Sequence, residues 1–126
     1  MQKVISVLVV LVGIIHLLPL SGILGPERLS TLYGINFSEP NLSILMRHRA
    51  VLFGLLGLFM IYSVFHPPLL SSALIGGGVS VLSFIWIALS VGGYNNAIHK
   101  VVVADIVALI CIVVAAVLHF ALLNRN

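Results

Sequence analysis

The chain has 126 residues, of which 61% are hydrophobic and only 7% charged, against roughly 45–50% and about 25% in an ordinary soluble domain. That composition excludes a water-soluble globule, and the formal charge of +3, from six Lys/Arg and three Asp/Glu, is too sparse for a nucleic-acid-binding surface. A single cysteine, Cys111, excludes an internal disulfide, a CxxC redox pair and a thiolate metal cage within one chain.

A helix rising 1.5 Å per residue needs about 20 apolar residues to cross a hydrocarbon core of roughly 30 Å. Four such runs occur, at 4–24, 42–65, 69–91 and 101–123, and they predict one domain: an all-α integral membrane bundle of four antiparallel helices. The first run follows Lys3 and carries only His16 and two serines as clearly polar side chains. It is longer than the core of a secretory leader and no A-x-A-like site follows it, so it is read as a retained span. Pro26 at a helix start, Leu29, Leu32 and Tyr33 at helical spacing and Gly34 as a stop predict a short interfacial helix before the second span. Ser38-Glu39-Pro40 then supplies cap, acid and proline, so the second helix is expected to begin before its apolar run. His66-Pro67-Pro68 and a loop from Gly92 to Lys100 join the later spans, and such short connections place consecutive helices in contact. Lys3 and Arg125 on one face balance Arg28 and Lys100 on the other, which leaves the orientation open under the positive-inside rule.

A charge at the centre of a span costs about 2.5–3.5 kcal/mol on insertion scales, so intramembrane ionisable residues usually face a partner, a cavity or the interface. Arg47 lies roughly 8 Å beyond Leu42, Asp105 roughly 6 Å beyond Val101 and His16 roughly 12 Å before Leu24 at helical rise, all in one half of the membrane. Tyr94, Asn95, His99 and Lys100 belong to the loop at that same face. Arg47, Ala50, Gly54, Gly57 and Ile61 share one helical stripe, whose small residues favour close helix contact and turn Arg47 into the bundle. Asp105 shares a stripe with Ala108, Ile112, Ala115 and His119; His16 follows Gly13 by one turn; and Gly76, Ser80, Ser83 and Ser90 form one face of the third span. The predicted site is a polar pocket near one membrane face, lined by His16, Arg47 and Asp105, roofed by Gly92-Gly93-Tyr94-Asn95-Asn96, with His48, Arg49 and His99 as further ligand-binding candidates. Both arginines also have stems long enough to snorkel to headgroups, and an ion pair of Asp105 with Arg47 or Lys100 would equally serve packing alone. Gly76-Gly77-Gly78 reads as either a packing notch or a flexible point.

The chain has no phosphate-cradling glycine loop, no H-E-x-x-H metal motif and no Ser/His/Asp triad, since Asp105 is the one acid within a span. Catalysis is therefore less favoured than binding. A cationic, hydrogen-bonding pocket below the headgroups suits an amphiphile such as a lipid or quinone. Haem held by His16 with His99 or His48, a small proton-coupled transporter, and a homo-oligomer or subunit of a larger membrane complex are the other readings. No metal ligand set is present, and nucleic acid is not an expected partner.

The size, the four-span profile, the segment Leu45-Met46-Arg47-His48-Arg49-Ala50-Val51-Leu52-Phe53-Gly54 and the later Ser90-Val91-Gly92-Gly93-Tyr94-Asn95 resemble small bacterial four-span membrane proteins of the DoxX-like group. The resemblance covers nearly the whole chain and implies a multi-pass protein of the bacterial inner membrane. It also implies an association with quinone-linked sulfur oxidation or with membrane complexes of oxidative-stress defence; the group offers no catalytic residues to carry over. Some similar sequences bear the name phosphopantetheine adenylyltransferase, but that enzyme is a nucleotide-binding α/β protein with an HxGH-type motif, and neither the motif nor alternating strands and helices occur here.

Overall fold

The computed structural model describes residues 2–18, 33 and 40–124. Four helices account for nearly all of them: α1 (Gln2–Leu17), α2 (Pro40–Phe65), α3 (Leu70–Val91) and α4 (Asn96–Asn124), with the 3-10 turn Pro67–Leu69 between α2 and α3. The predicted interfacial helix falls outside the described residues except for Tyr33, which is helical.

Three segments, Pro40–Phe65, Pro67–Val91 and Asn96–Asn124, are long and apolar enough to cross a membrane, with mean hydropathies of 1.7, 2.1 and 3.2. The described part of α1 is equally apolar but 16 residues long, about 24 Å at helical rise. The rest of the predicted first span lies outside the described residues. The outward faces are as apolar as the inside: Val7, Leu11 and Ile14 on α1, Leu52, Leu55 and Leu58 on α2, Ile75, Val79 and Leu82 on α3, and Ile106, Ile110 and Val113 on α4 are all exposed. Helices that are hydrophobic all round suit a hydrocarbon solvent, whereas in water such continuous apolar surface would drive aggregation. The chain is an all-α bundle of the membrane type.

α1 packs on α2 and α4, and α3 packs on the same two helices, so the four close into a ring. The direction alternates, since one end gathers His16 of α1, Arg49 of α2 and Asp105 of α4 around a common space, while the other gathers Ile5, Val64, Leu70 and Leu122. Both turns follow from their residues. After α2, the His66 and Leu69 amides bond the Ser63 and His66 carbonyls at 3.2 and 2.9 Å, and Pro67 occupies the first position of the 3-10 turn, where its missing N–H costs nothing. After α3, Gly92 and Gly93 have φ of 67° and 66°, a region that side chains with a Cβ rarely enter. The Gly92 amide closes the helix on the Ala88 carbonyl at 2.9 Å.

Asn95 then caps α4: its side-chain Oδ1 accepts the Ile98 amide at 2.8 Å, the hydrogen bond that satisfies an orphan donor of the first turn. The helix consequently starts at Asn96, and the long loop expected up to Lys100 shrinks to four residues. Polar residues at the start of α4 conceal its onset when only the apolar run is counted. α2 begins at Pro40, two residues ahead of its apolar run, as the cap-acid-proline signal predicted.

The core holds Val9 and Val12 of α1, Met60 of α2, Ala73, Leu74 and Val81 of α3, and Ala108, Ile112 and Ala115 of α4. Small residues set the helix separations. A Cβ on Gly57 would stand 2.6 Å from the Gly13 carbonyl oxygen, and one on Gly13 would stand 2.9 Å from the Gly57 oxygen, so α1 and α2 cross backbone to backbone. Gly77 is buried within an unbroken α3 and faces Met60 and Ile112, which makes the Gly76-Gly77-Gly78 run a packing notch. Cys111 is a buried free thiol in the same core.

Candidate binding site

At the end of the bundle where α1 finishes and α4 begins lies a cavity of about 360 Å³. Its apolar walls are Ile15 and Leu18 from the end of α1, Phe53 of α2, and Ala97, Val101 and Ala104 of α4; its polar groups are His16, Tyr33, Arg49, Lys100 and Asp105. On α4, residues 97, 100, 101, 104 and 105 recur at the three- and four-residue spacing of one helical face, so a single face supplies both the base and the acid.

Asp105 is 8% exposed. It lies on the stripe predicted for it, with Ala108, Ile112 and Ala115 buried behind it, and His119 further along bonds Ser71 of α3 through Nε2 at 3.0 Å. Arg49 is the cation that acts electrostatically on Asp105. Its guanidinium donates from Nη1 to the Tyr33 hydroxyl oxygen at 2.7 Å and stands 4.4 Å from the Phe53 ring centre, 5.5 Å from Phe84 and 5.6 Å from Tyr33. Three ring faces and one hydroxyl hold the charge, an arrangement in which each cation–π contact contributes about 0.5–2 kcal/mol as water is excluded. Tyr33 is held in turn, because Asn95 donates from Nδ2 to its carbonyl oxygen at 2.8 Å. Asn95 thus caps α4 and ties Tyr33 to the bundle end with the two halves of one amide.

His16 is 3% exposed, with Nδ1 2.9 Å from the Val12 carbonyl oxygen and Nε2 3.0 Å from Ser80 Oγ of α3. A carbonyl only accepts, so Nδ1 carries a hydrogen and Nε2 exchanges its bond with the Ser80 hydroxyl. Its ring also leans on Phe53, with centres 5.6 Å apart. Both nitrogens are engaged, and His48 and His99 are exposed, so these residues do not fit the haem pairing considered from the sequence.

The cavity therefore unites His16, Arg49 and Asp105 of the predicted set and leaves the others outside. Arg47, expected to point inward, is exposed, as is His48. Arg47 does continue the Ala50-Gly54-Gly57 stripe, which is buried. That stripe packs on α1 at the Gly13–Gly57 crossing, and Arg47 lies ten residues, about 15 Å, from it, between the buried Ser43 and Ala50 of the same stripe, so stripe direction alone does not decide burial here. Arg49 sits instead on the neighbouring stripe with Phe53, Leu56 and Met60, which meets α3 through Phe84, Gly76 and Gly77. The expected roof is corrected too: Tyr94 stacks on His99 with centres 6.2 Å apart and neither lines the cavity, whereas Tyr33 does. On α3 only Ser80 of the predicted serine face reaches the site; Ser83 and Ser90 are exposed, and Ser83 bonds the Ser80 carbonyl of its own helix at 3.0 Å.

The places of Tyr33, Phe53 and Phe84 and the bond of Ser80 to His16 go beyond the sequence reading, which gives Lys100 as one of two ion-pair partners for Asp105. The i, i+4 relation of Arg49 to Phe53 was the one signal for the aromatic setting; Tyr33 has no spacing that announces it. No family model, curated protein or solved structure matches the chain.

Proposed function

We propose that the chain is a four-span protein of the bacterial inner membrane, of the DoxX-like group that its basic triplet resembles, and that its cavity binds the polar end of an amphiphile, a lipid or a quinone. The observation that carries this reading is the composition of one cavity: a buried carboxylate, a guanidinium and an exposed ammonium around a mostly apolar space at the bundle end. Such spaces, apolar with a few convergent polar groups, are where small molecules bind. The apolar outer surface continues from the cavity walls, since Leu18 and Ile14 are exposed, so a tail has a path out along α1. Lys100 offers donors to a phosphate, carboxylate or quinone carbonyl, and Asp105 accepts from a hydroxyl or amine.

Native mass spectrometry of the full chain released from mild detergent tests the reading. A discrete small-molecule adduct is expected, and it should disappear in Ala104→Phe, which fills the cavity and leaves every charged group in place. An adduct that survives this substitution, or a chain that carries only another protein, overturns the assignment and favours a subunit role.

A further inference from the structure

We infer that the cavity selects a phosphate-bearing lipid headgroup that carries its own hydrogen-bond donor beside the phosphate, an ammonium or a hydroxyl, with the phosphate toward Lys100 and the donor toward Asp105. The inference rests on the amphiphile-binding reading above and names the chemistry of its ligand.

Asp105 is the reason. Its side chain lines the cavity at 8% exposure, and no described residue donates a hydrogen bond to its carboxylate. No buried side-chain oxygen or nitrogen among the described residues is sealed away without a partner, so the carboxylate opens on the cavity it lines, where donors offset the cost of an apolar setting; the described cation that acts on it, Arg49, already gives Nη1 to Tyr33 and has its plane among three rings. A ligand that brings N–H or O–H groups into the cavity supplies what the described residues do not. Lys100 lies five residues nearer the helix start on the same face of α4, about 7.5 Å along the axis, and is exposed, just before the apolar run that opens at Val101. An anion and a donor separated by a two-carbon bridge match that order of base outside and acid inside. The apolar lining from Ile15, Leu18 and Val101 then receives the glycerol end and the first methylenes.

A trimethylated nitrogen has a cation but no N–H, so it provides the charge without the hydrogen bonds. That difference permits a test on the unaltered protein. The full chain in mild detergent is mixed with phosphatidylethanolamine, its N-methyl and N,N-dimethyl forms, phosphatidylcholine and phosphatidylglycerol, all with the same acyl chains, and bound fractions are read by native mass spectrometry. Affinity is expected to fall along the methylation series, by about tenfold or more from the unmethylated to the trimethylated headgroup, as loss of charge-assisted hydrogen bonds implies. Asp105→Asn is expected to bring the two ends of the series to within about twofold of one another. Retention of phosphatidylglycerol alongside phosphatidylethanolamine makes any headgroup donor sufficient, and selection of phosphatidylethanolamine alone assigns the donor as ammonium; each result supports the inference, whereas phosphatidylglycerol alone marks selection by anionic charge and overturns it. Equal retention of phosphatidylcholine and phosphatidylethanolamine by the unaltered chain overturns it, as does a preference that persists in Asp105→Asn. If no phospholipid binds but another amphiphile remains attached, the headgroup inference fails and the binding reading stands; a bare chain removes both.

Discussion

The crossing of α1 and α2 gives the sharpest mechanical prediction. Gly57→Ala places a Cβ 2.6 Å from the Gly13 carbonyl oxygen, 3.1 Å from Leu17 Cγ and 3.2 Å from His16 Cβ. The first contact falls several tenths of an ångström short of an ordinary van der Waals approach, and the atom it meets is backbone, so relief requires the two helices to separate. Overpacking of this kind costs about 1–3 kcal/mol, against a gain of up to about 1 kcal/mol from replacing a helical glycine. Gly77→Ala is the internal control: its Cβ meets Met60 Cε at 2.8 Å and Sδ at 3.1 Å, the far end of a side chain that adapts readily. Gly76→Ala is a second control, with only Leu56 Cδ1 at 3.4 Å. Cys111 provides the readout, because it is the chain's one cysteine and is buried in the core: a maleimide should label it slowly in the folded bundle and faster as the bundle opens. Labelling of Gly57→Ala is expected to accelerate by roughly 5- to 30-fold, corresponding to about 1–2 kcal/mol, while Gly76→Ala stays within about twofold, as a change of less than 0.5 kcal/mol implies. Equal labelling of Gly57→Ala and the unaltered chain, or greater acceleration in Gly77→Ala, would refute the backbone crossing as the element that sets this helix pair.

Three further substitutions test the site's framework. Ser80→Ala leaves His16 Nε2 without the partner it now has at 3.0 Å and should destabilise the bundle by about 1–3 kcal/mol; Ser83→Ala, whose hydroxyl bonds only its own helix, should stay within about 0.5 kcal/mol, both read from denaturation in mixed micelles. Asn95→Ala removes the α4 cap and the hold on the Tyr33 carbonyl together. Its cost should reach about 1–2 kcal/mol, with Asn95→Asp keeping the cap but not the Nδ2 donor and so falling between; equal stability of all three chains would contradict the double role. Arg49→Gln abandons three rings, the Tyr33 hydroxyl and the charge that acts on Asp105, and thermal melting should show it well below Arg47→Gln, a substitution at an exposed position. A reversed order would restore Arg47 to the interior.

How far the site was legible in the sequence follows from what a helical stripe encodes. Composition and run length are one-dimensional, and they sufficed for the all-α membrane bundle because each run had only to be long and apolar. Stripe phase sufficed for Asp105, whose small and apolar companions Ala108, Ile112 and Ala115 are buried on the same face, because α4 has neighbours along that whole length. The same rule does not carry to Arg47, which is exposed although Ser43 and Ala50 on its stripe are buried: a stripe states the direction of a side chain and not its exposure. Two residues of sequence, from Arg47 to Arg49, separate an exposed charge from one held among aromatic rings. The aromatic setting itself is assembled from α2, α3 and the connection carrying Tyr33, three segments whose mutual height no single stripe contains. The interior cation is therefore the one whose stripe meets rings from neighbouring segments, and in this chain that is Arg49, set against Phe84 of α3 and Tyr33, whose carbonyl Asn95 holds while it caps α4.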